Sequence, residues 1–537
     1  MVVSPALQRG EDGPRPPRQP RRGDGNLRAG DGNPRGMCLH GEVMSLMRIA
    51  IIGGGIAGMA AAFELEKARA AGEPVEYTLF EGRPRLGGSL ASETINGAVL
   101  ERGPDSFLTE KPAAAELCRE LGLGAELVPS NDAVRKTYIV VRNRLVPLPD
   151  GLLFLVPTRL VPTALTRLFS LRTKMRMALE LLHPPRPAQG DESVAALVER
   201  HFGSEAVDRL ADPLLSGIYG GDASQLSAQT VLPRLVDMER KYGSLTRGML
   251  AAHRQMRARA KTSPAAKPIQ NAKSGGTTGA PIFTSLRGGM NQLVDALSAR
   301  LDPASVRVST PVSAIQRSAH GWRVESCTEP RVFDAIIVSS PAWAAGVLLE
   351  PVDRELADEL SAIPYSSSIT VNLIYDQAQL GRMPEGFGFL VPSVEGRAML
   401  ACTFVHRKFL GRTPPGKAVL RAFLGGMKNE FLLAESDAAL VATVRRELSE
   451  ILGAGAISPS IEPEYAQVSR WRRAMAQYSV GHQERMKRIA ARVATLPGLR
   501  LAGNAYDGIG IPDCIRLGRQ AAKELIALNA KAPAPTL

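Results

Sequence analysis

The chain has 537 residues, which is too many for one hydrophobic core, so we expect two or three domains. Its hydrophobic content of 44% is ordinary for a globular protein, whereas its net charge of +13 raises the question of a nucleic-acid partner. The five cysteines include no C-x-x-C, and the seven histidines form no H-x-H or H-E-x-x-H, which argues against a disulfide framework, a zinc site and metal catalysis.

Part of the positive charge lies in the first 46 residues, which are rich in Arg, Gly and Pro and show no apolar period. Such a segment cannot bury a core, so we expect residues 1–46 to be a disordered, dispensable tail, with Met44 or Met47 as the natural beginning. It has no apolar h-region and is therefore not a signal peptide. An RNA-binding arm is the alternative; because no aromatic residues interleave its arginines, we expect no nucleic-acid partner.

A nucleotide-binding loop is predicted directly after the tail. Met47–Ile52 has the short, branched, apolar character of a buried parallel strand, and the glycines that follow fit G-x-G-x-x-G, before a helix predicted from Ala57 to Lys67. A second strand, Val75–Phe80, ends in Glu81, at the spacing expected of the acid that binds ribose hydroxyls. An acid there disfavours the 2′-phosphate of NADP. An ordinary strand–turn–helix of a doubly wound domain is the alternative.

The residues after Glu81 favour FAD over NAD. Arg83, Arg85, Gly87 and Gly88 resemble the E-x-x-x-R-x-G-G-R extension of FAD-binding amine oxidases and their relatives. Ser89 occupies the position of the last arginine of that pattern, which weakens a generic amine-oxidase assignment but not the dinucleotide fold.

The next segment, Gly151 to Leu182, is apolar at helical spacing between basic residues. It could lie on an anionic membrane surface, or it could be a helical subdomain packed on its neighbours. No stretch reaches the roughly 18 uninterrupted apolar residues of a spanning helix. Lys261 to Pro281 is predicted to be a polar, flexible surface insertion.

Later segments are predicted to complete the nucleotide sheet. Trp322–Ser326 and Asp334–Leu349 give a strand, a second strand and a helix; Leu499–Ala502 gives a strand before a Gly-rich turn and a helix that starts near Pro512. In a flavoprotein, the N-terminus of that last helix would face the N1/C2=O end of the flavin. No second G-x-G-x-x-G follows a strand, so no NAD(P)H site is apparent.

The predicted fold class is α/β: a Rossmann-type FAD-binding domain with a mixed-sheet substrate domain and a helical subdomain. The expected boundaries are 47–125, 285–345 and 480–528 for the discontinuous FAD-binding domain, 150–225 for the helical subdomain, 126–149, 226–284 and 346–479 for the substrate domain, and 529–537 for a tail.

Six segments together resemble the oxygen-dependent protoporphyrinogen and coproporphyrinogen oxidases of haem synthesis. They occur in that family's order and cover Met47 to Leu528: "LERGPDSFLTEK" (Leu100 to Lys111), "PLLSGIYGGDASQLS" (Pro213 to Ser227), "SLRGGMNQL" (Ser285 to Leu293), "GFGFLVP" (Gly386 to Pro392), "MAQYSVGH" (Met475 to His482) and "GNAYDGIGIPDCI" (Gly503 to Ile515).

The resemblance implies a flavoenzyme that oxidises a porphyrinogen to a porphyrin. Successive hydrides pass to flavin N5, and O2 reoxidises the flavin to give hydrogen peroxide. An FAD amine oxidase or carotenoid desaturase is the alternative within the fold, and a non-catalytic FAD-dependent adaptor is the alternative outside catalysis. Because the flavin carries the hydride chemistry, no catalytic side chain is expected.

Family position also implies the residues that contact FAD. Val312 could hold adenine or be an ordinary strand valine, Trp471 could be a core residue, and Asp105 could cap its own loop. The full set is Gly53, Gly54, Gly55, Ile56, Ala57, Gly58, Glu81, Gly82, Ser89, Gly103, Pro104, Asp105, Ser106, Val312, Trp471, Gly503, Asn504, Gly508, Ile509, Gly510 and Ile511.

Substrate propionates need cations, and Arg135, Lys136, Arg142 and Arg144 are candidates, although a solvated charged hairpin explains them equally well. The signature "ERGPDSF" resembles the coproporphyrinogen branch more closely. We expect a cytoplasmic protein, with peripheral contact to the inner membrane face and a transient haem-pathway enzyme partner as open alternatives.

Overall fold

The computed structural model describes residues 46–149, 152–153, 155–157, 160–185, 190–262 and 281–529. Almost all of the predicted N-terminal tail, most of the polar insertion between Lys261 and Pro281, and residues 530–537 lie outside the described residues.

Strands and helices alternate along the described chain. The strands are β1 (Met47–Ile52), β2 (Val75–Phe80), β3 (Ser92–Ile95), β4 (Ala98–Glu101), β5 (Phe107–Leu108), β6 (Leu127–Pro129), β7 (Thr137–Val141), β8 (Arg144–Pro147), β9 (Leu152–Leu153), β10 (Val156–Pro157), β11 (Phe283–Leu286), β12 (Val306–Arg307), β13 (Val312–Ser318), β14 (Gly321–Ser326), β15 (Arg331–Phe333), β16 (Ala335–Val338), β17 (Tyr365–Asp376), β18 (Gly388–Leu390), β19 (Met399–Phe404), β20 (Lys417–Gly425), β21 (Tyr465–Ala476) and β22 (Leu499–Leu501). The α-helices are α1 (Ile56–Ala70), α2 (Pro112–Glu120), α3 (Leu160–Leu165), α4 (Leu171–Leu179), α5 (Val194–Phe202), α6 (Ser204–Ala206), α7 (Asp212–Tyr219), α8 (Ala228–Val231), α9 (Pro233–Tyr242), α10 (Leu245–Thr262), α11 (Asn291–Ser298), α12 (Ala342–Leu349), α13 (Arg354–Ser361), α14 (Val405–Lys408), α15 (Asp437–Leu452), α16 (His482–Ala494) and α17 (Ile511–Asn529).

A parallel five-stranded sheet of order β12-β2-β1-β16-β22 holds the predicted nucleotide loop. Its central strands are apolar on both faces because helices or a second sheet cover each face. Alternate residues of β1 enter two different cores: Ile49 and Ile51 pack with α1, α2, α11 and α17, whereas Ala50 and Ile52 pack with α12, α13 and the β13–β15 sheet.

Helices α1 and α17 approach each other closely beside this sheet. A Cβ on Gly518 of α17 would lie 2.0 Å from the carbonyl oxygen of Ala57, so the contact requires glycine at this position. The last helix of the described chain is therefore fixed directly against the first turn of α1.

A seven-stranded sheet of order β21-β17-β20-β19-β18-β7-β8 forms the second layer. It is antiparallel except between β18 and β7. One face packs on α15 through Ile369, Leu420 and Leu424, among others. Because side chains alternate along a strand, Thr370, Asn372, Arg421 and Phe423 project from the opposite face, toward the nucleotide-binding part of the molecule. Together the two sheets confirm the predicted α/β fold class.

The helical layer runs from α3 to α10 and extends beyond residue 225, the limit expected from the sequence. Leu235 of α9 and Leu245 and Met249 of α10 are buried in the same core as Leu197 and Phe202 of α5. The shared core assigns residues 228–255 to the helical layer, whereas the sequence predicts that they belong to the substrate domain. Among the described residues, no helix combines the length and apolar character needed to cross a bilayer.

A buried histidine connects the helices of this layer. The His201 side chain is 1% exposed; its Nδ1 lies 3.0 Å from Glu180 and its Nε2 lies 3.1 Å from Glu239. Glu180 also accepts hydrogen bonds from the Ser244 hydroxyl (2.8 Å) and the Leu245 N–H (2.5 Å) at the start of α10. Both imidazole nitrogens of His201 contact carboxylates, so His201 forms an ion-pair network with Glu180 and Glu239. His183 lies close to Glu180 and His201.

This network predicts that stability decreases as pH rises. Burial alone would lower the pKa of His201, but Glu180 and Glu239 outweigh it and raise the pKa above its ordinary value. The stabilisation is therefore complete below the unfolded-state pKa of about 6.5 and is lost as pH passes the raised folded-state pKa. In thermal melts between pH 6 and 9, His201→Gln should melt lower than wild type at pH 6 and show a flatter profile.

His320→Gln, at an exposed histidine, is the matched control and should keep the wild-type pH profile. Parallel wild-type and His201→Gln profiles would contradict the assignment of the pH dependence to His201.

Candidate flavin site

The glycine loop between β1 and α1 has the shape of a phosphate cradle. Gly53 has φ +110°, and a Cβ on Gly58 would lie 2.0 Å from the Gly53 carbonyl oxygen, so both glycines are required by the turn itself. A Cβ on Gly55, in contrast, would have no protein atom within 4 Å. Ile56 and Ala57 begin α1 behind this open space, so the N-terminal amides of the helix are directed toward it.

Glu81 at the end of β2 contacts the same loop. Its carboxylate accepts hydrogen bonds from the N–H groups of Gly54 (2.7 Å) and Arg83 (2.8 Å). The residues that precede Val312 lie alongside, because the Thr310 N–H donates to the Glu81 carbonyl at 2.8 Å and a Cβ on Gly82 would lie 3.4 Å from Pro311. The structure thus brings Val312 to the side of the loop where the predicted ribose acid lies.

Ser89 and Gly103 continue this surface away from the loop. Gly88 contacts Gly55, since a Cβ on Gly88 would lie 3.1 Å from the Gly55 Cα. A Cβ on Gly103 would lie 1.8 Å from the Ser89 carbonyl oxygen and 3.5 Å from the ring of Trp471. Trp471 is only partly buried, so it is not a core tryptophan.

Residues 101–106, here called the anchored segment, are held through their carbonyl groups to the seven-stranded sheet and, at Asp105, to β11 of the three-stranded sheet β5-β11-β6. The accepted hydrogen bonds are, in order, Glu101 O from Asn372 Nδ2 (2.9 Å), Arg102 O from Thr370 Oγ1 (2.8 Å) and Trp471 Nε1 (2.7 Å), Gly103 O from Arg421, and Asp105 O from Ser285 Oγ (2.5 Å).

Two carboxylates of the anchored segment, Glu101 and Asp105, and three cations from distant parts of the chain form a largely buried group, here called the charge cluster. Lys408 Nζ lies 3.0 Å from Asp105 Oδ2, Arg421 Nη1 lies 3.7 Å from the same oxygen, and Arg412 pairs with Glu101. Although burial would raise the pKa of Asp105, Lys408 and Arg421 hold that pKa well below its usual range. Asp105 is therefore an ionised structural partner rather than a proton acceptor. Glu101 is 3% exposed and Arg412 is 1% exposed.

The turn from Gly503 to Ile511 closes the other end of the surface. The Tyr478 hydroxyl donates to the Asn504 carbonyl (2.9 Å) and accepts from the Gly508 N–H (2.9 Å). The Gly510 N–H donates to Asp513 in the first turn of α17, at 3.2 Å. Lys111 forms an ion pair with Asp513 at 2.7 Å, so the end of the "LTEK" segment lies at the α17 N-terminus.

The residues present fit an FAD molecule. The open space at Gly55 accommodates a pyrophosphate, Glu81 lies near the Val312 side, and the surface continues through Ser89 and Gly103. Among the described residues, the N–H groups of Gly103, Asp105 and Ser106 have no hydrogen-bond partner. Pro104 and Ile509 complete the predicted set at the anchored segment and the closing turn, respectively.

The four predicted propionate cations are divided between the two ends of β7. Arg135 and Lys136 precede the strand, and Lys136 pairs with Glu385 at 3.2 Å. Arg142 lies in the β7–β8 turn with φ +50°, its N–H donates to Glu395 at 2.9 Å, and Arg144 begins β8. The structure therefore does not bring the four together.

Several residues of the site were not identified from the sequence. Lys408, Arg412 and Arg421 reach the anchored segment from about 300 positions away, and no local pattern marks them. Tyr478 lies inside the "MAQYSVGH" segment, but the sequence does not predict the two hydrogen bonds between its hydroxyl and the closing turn. A tyrosine followed by a distant Gly-rich turn carries no spacing signal.

Known proteins with similar sequences and structures identify the family to which this geometry belongs. The sequence profile described as flavin containing amine oxidoreductase matches residues 56–526. The chain belongs to this family. Within it, the chain is 33% identical over 482 residues to the coproporphyrinogen III oxidase of Bacillus subtilis (strain 168), covering 89% of this chain and 97% of that protein. It is 29% identical to the chloroplastic protoporphyrinogen oxidase of Nicotiana tabacum, covering 88% and 84% of the two chains.

A crystal structure assigned as a protoporphyrinogen oxidase, from Exiguobacterium sp. 255-15, superposes with a TM-score of 0.77 at 32% identity, covering 90% of this chain and all of that one. The predicted family and the predicted FAD cofactor are confirmed. This flavin containing amine oxidoreductase is therefore an FAD-dependent enzyme.

Proposed function

We propose that this flavoenzyme oxidises coproporphyrinogen III to coproporphyrin III with O2 as the terminal acceptor, in haem biosynthesis. The observation that carries the proposal is the end-to-end similarity to a coproporphyrinogen III oxidase, at 33% identity over 97% of that protein.

When bound, FAD supplies the two-electron acceptor. The protein's own residues orient the cofactor. Gly55 leaves room for the pyrophosphate, and the anchored segment, which Trp471 binds through the Arg102 carbonyl, forms the adjoining surface. Asp105 is held ionised by Lys408 and does not act as a base.

The face of the seven-stranded sheet opposite α15 supplies a wall for a flat, largely apolar ring. Phe423 projects from this face and is partly buried, with the Arg421 guanidinium 4.8 Å from its ring centre. Leu390 and Thr403 alternate onto the same face because Phe389 and Cys402 are buried in the opposite core. The aromatic ring of Phe423 suits a tetrapyrrole better than it suits a small aliphatic amine.

The proposal is tested with purified, FAD-loaded protein. Coproporphyrinogen III and protoporphyrinogen IX are added separately in air, and porphyrin fluorescence and hydrogen peroxide are followed. We expect both signals to rise well above autoxidation, faster with coproporphyrinogen III, and porphyrin formation to stop after one turnover without O2. No acceleration of either substrate would refute the function; faster protoporphyrinogen oxidation would refute the preference.

Of the two cation pairs on β7, we propose Arg135 and Lys136 for the substrate propionates. The Asn131 N–H, shortly before them, donates to the Lys408 carbonyl at 2.8 Å, so this end of β7 lies toward the charge cluster. Arg135→Gln/Lys136→Gln should raise the KM for coproporphyrinogen III about tenfold, the effect of losing one or two charge-assisted hydrogen bonds.

The matched control is Arg142→Gln/Arg144→Gln at the turn, which should leave KM and kcat unchanged. A larger KM increase from the control pair than from the Arg135 pair would reverse this assignment.

We further propose that this enzyme contacts anionic lipid on the cytoplasmic membrane face through an apolar stripe on α3, α4 and the turn that follows. On α4, Leu171 and Met175 are 74% and 60% exposed, while Thr173 and Met177 on the opposite side are buried. Arg172 is exposed beside the stripe, which favours an anionic surface. The stripe consists of Val161, Leu165, Leu171, Met175, Leu179 and Leu182.

Sedimentation with phosphatidylglycerol vesicles tests this contact. We expect Leu171→Ser/Met175→Ser/Leu179→Ser to reduce the bound fraction at least fivefold, since three apolar side chains no longer enter the interface. The matched control removes three equally exposed but scattered residues, Val347→Ser/Val394→Ser/Leu410→Ser, and should bind like wild type. Equal binding of the two variants, or no binding by wild type, would refute the membrane contact.

A further inference from the structure

We infer that the charge cluster, through one surplus positive charge, raises the reduction potential of the bound flavin. Its members are Glu101, Asp105, Lys408, Arg412 and Arg421. Lys408, Arg412 and Arg421 reach the two carboxylates of the anchored segment through ion pairs, so the cluster acts through positioning and electrostatics. The inference concerns the cofactor and does not depend on which substrate the enzyme oxidises.

The charge count follows from the contacts. Three cations, Lys408, Arg412 and Arg421, face two carboxylates, Glu101 and Asp105, which leaves one positive charge. The side chains of Lys408, Arg412 and Arg421 are 11%, 0% and 3% exposed, so water screens them little. Among the described residues, the Nε atoms of Arg412 and Arg421 are buried without a hydrogen-bond partner.

Two nearby charged residues do not cancel this surplus. Arg102 and Glu93 carry opposite charges and are both exposed to solvent. Glu93 accepts a hydrogen bond from Gln467, and Arg102 donates one to Ser469 at 3.3 Å. Their contributions oppose each other and are screened by water, so the buried surplus dominates.

The backbone of the anchored segment adds to the same field. The Arg102 and Gly103 carbonyl oxygens accept from Thr370 and Arg421 of the seven-stranded sheet, and the Asp105 carbonyl accepts from Arg412 of the charge cluster at 3.4 Å. In a trans peptide the N–H of the next residue points the opposite way. The N–H groups of Gly103 and Ser106 have no partner among the described residues and therefore point away from the sheet. The positive ends of these dipoles face the predicted cofactor side.

Reduction adds negative charge to the flavin. A buried positive surplus and aligned N–H dipoles stabilise that added charge more than they stabilise the oxidised cofactor. The reduction potential is accordingly raised, which favours electron transfer from the substrate.

Variants that change the charge of the cluster distinguish an electrostatic effect on the flavin potential from a purely structural role. Lys408→Gln removes the surplus, Asp105→Asn doubles it, and Lys408→Gln/Asp105→Asn restores it. Dye-coupled titration of the FAD-loaded proteins should show a potential lowered by about 30 mV in the first, raised by a similar amount in the second, and close to wild type in the third. These shifts correspond to a tenfold change in the two-electron reduction equilibrium.

Charge-conserving Lys408→Arg is the control and should keep the wild-type potential even if Asp105→Asn loses FAD. A purely structural role predicts potentials that shift in one direction for both single variants, or a double variant that deviates most; either result would overturn the inference. Because the readout is a potential measured without porphyrinogen, failure here is distinguishable from failure of the proposed function.

Discussion

Gly55→Val is expected to fold like wild type and to bind FAD on the order of 100-fold more weakly, the equivalent of about 2.7 kcal/mol. Gly55 has φ −70° and ψ 176°, a conformation open to any residue, and a Cβ there meets no protein atom within 4 Å. The added methyl groups would instead fill the space through which a pyrophosphate approaches the backbone. The affinity loss therefore reports on the cofactor and not on the fold.

The measurement is the quenching of FAD fluorescence by apoprotein, alongside the apoprotein melting temperature. Gly455→Val is the matched control, because Gly455 is exposed and a Cβ there also has no neighbour within 4 Å; it should bind FAD normally. Gly58→Val should instead lower the apoprotein melting temperature, since its Cβ would collide with the Gly53 carbonyl. Normal FAD affinity in Gly55→Val would show that the pyrophosphate lies elsewhere.

Arg412→Met is expected to destabilise the protein by about 3–5 kcal/mol, because it leaves the Glu101 carboxylate buried without its cation. Glu101 is 3% exposed, and within the described part of the chain its carboxylate would retain hydrogen bonds only from the Met290 N–H (2.8 Å) and the Ser92 hydroxyl (2.6 Å). These neutral donors do not replace an ion pair in a site that excludes water.

Urea unfolding followed by tryptophan fluorescence measures this loss. Arg412→Met/Glu101→Gln should recover most of it, because no unpaired charge remains and the amide still accepts from Met290. Lys487→Met, which breaks an ion pair whose side chains are 72% and 65% exposed, should not change the unfolding midpoint. A double variant less stable than Arg412→Met would contradict the assignment to an unpaired carboxylate.

The sequence predicted the parts of the site that depend on local spacing. Gly53 to Gly58 and Glu81 lie within one strand–turn–helix–strand unit, where backbone geometry fixes which residue types can occur. The strand before Gly503 and the helix near Pro512 were also predicted, because an apolar run, a Gly-rich turn and a proline in the first helical turn are local signals. The structure differs there only in starting α17 at Ile511.

The residues that support the site could not be predicted in this way. Arg421 becomes a neighbour of Asp105 because β20 pairs with β17, whose Thr370 and Asn372 hold the anchored segment. Lys408 reaches the same carboxylate from the end of α14. Such contacts depend on the packing of two sheets, and nothing in the local sequence around Lys408 separates a buried cation from a solvated one. The four predicted propionate cations are separated for a simpler reason: Arg135 and Lys136 precede the extended strand β7, whereas Arg142 and Arg144 follow it.

The order of strands in the nucleotide sheet has a consequence for biosynthesis. β1 pairs with β16, and β16 pairs with β22, so segments near residues 50, 337 and 500 must all be made before the sheet is complete. At roughly 5–20 residues per second, β1 waits about 20–90 s for the last strand. During translation β2 can pair with one edge of β1 early, but the other edge has no partner strand until β16 is made. Because the turn from Gly503 to Ile511 follows β22, the complete candidate flavin site forms only when almost the whole described chain has been made.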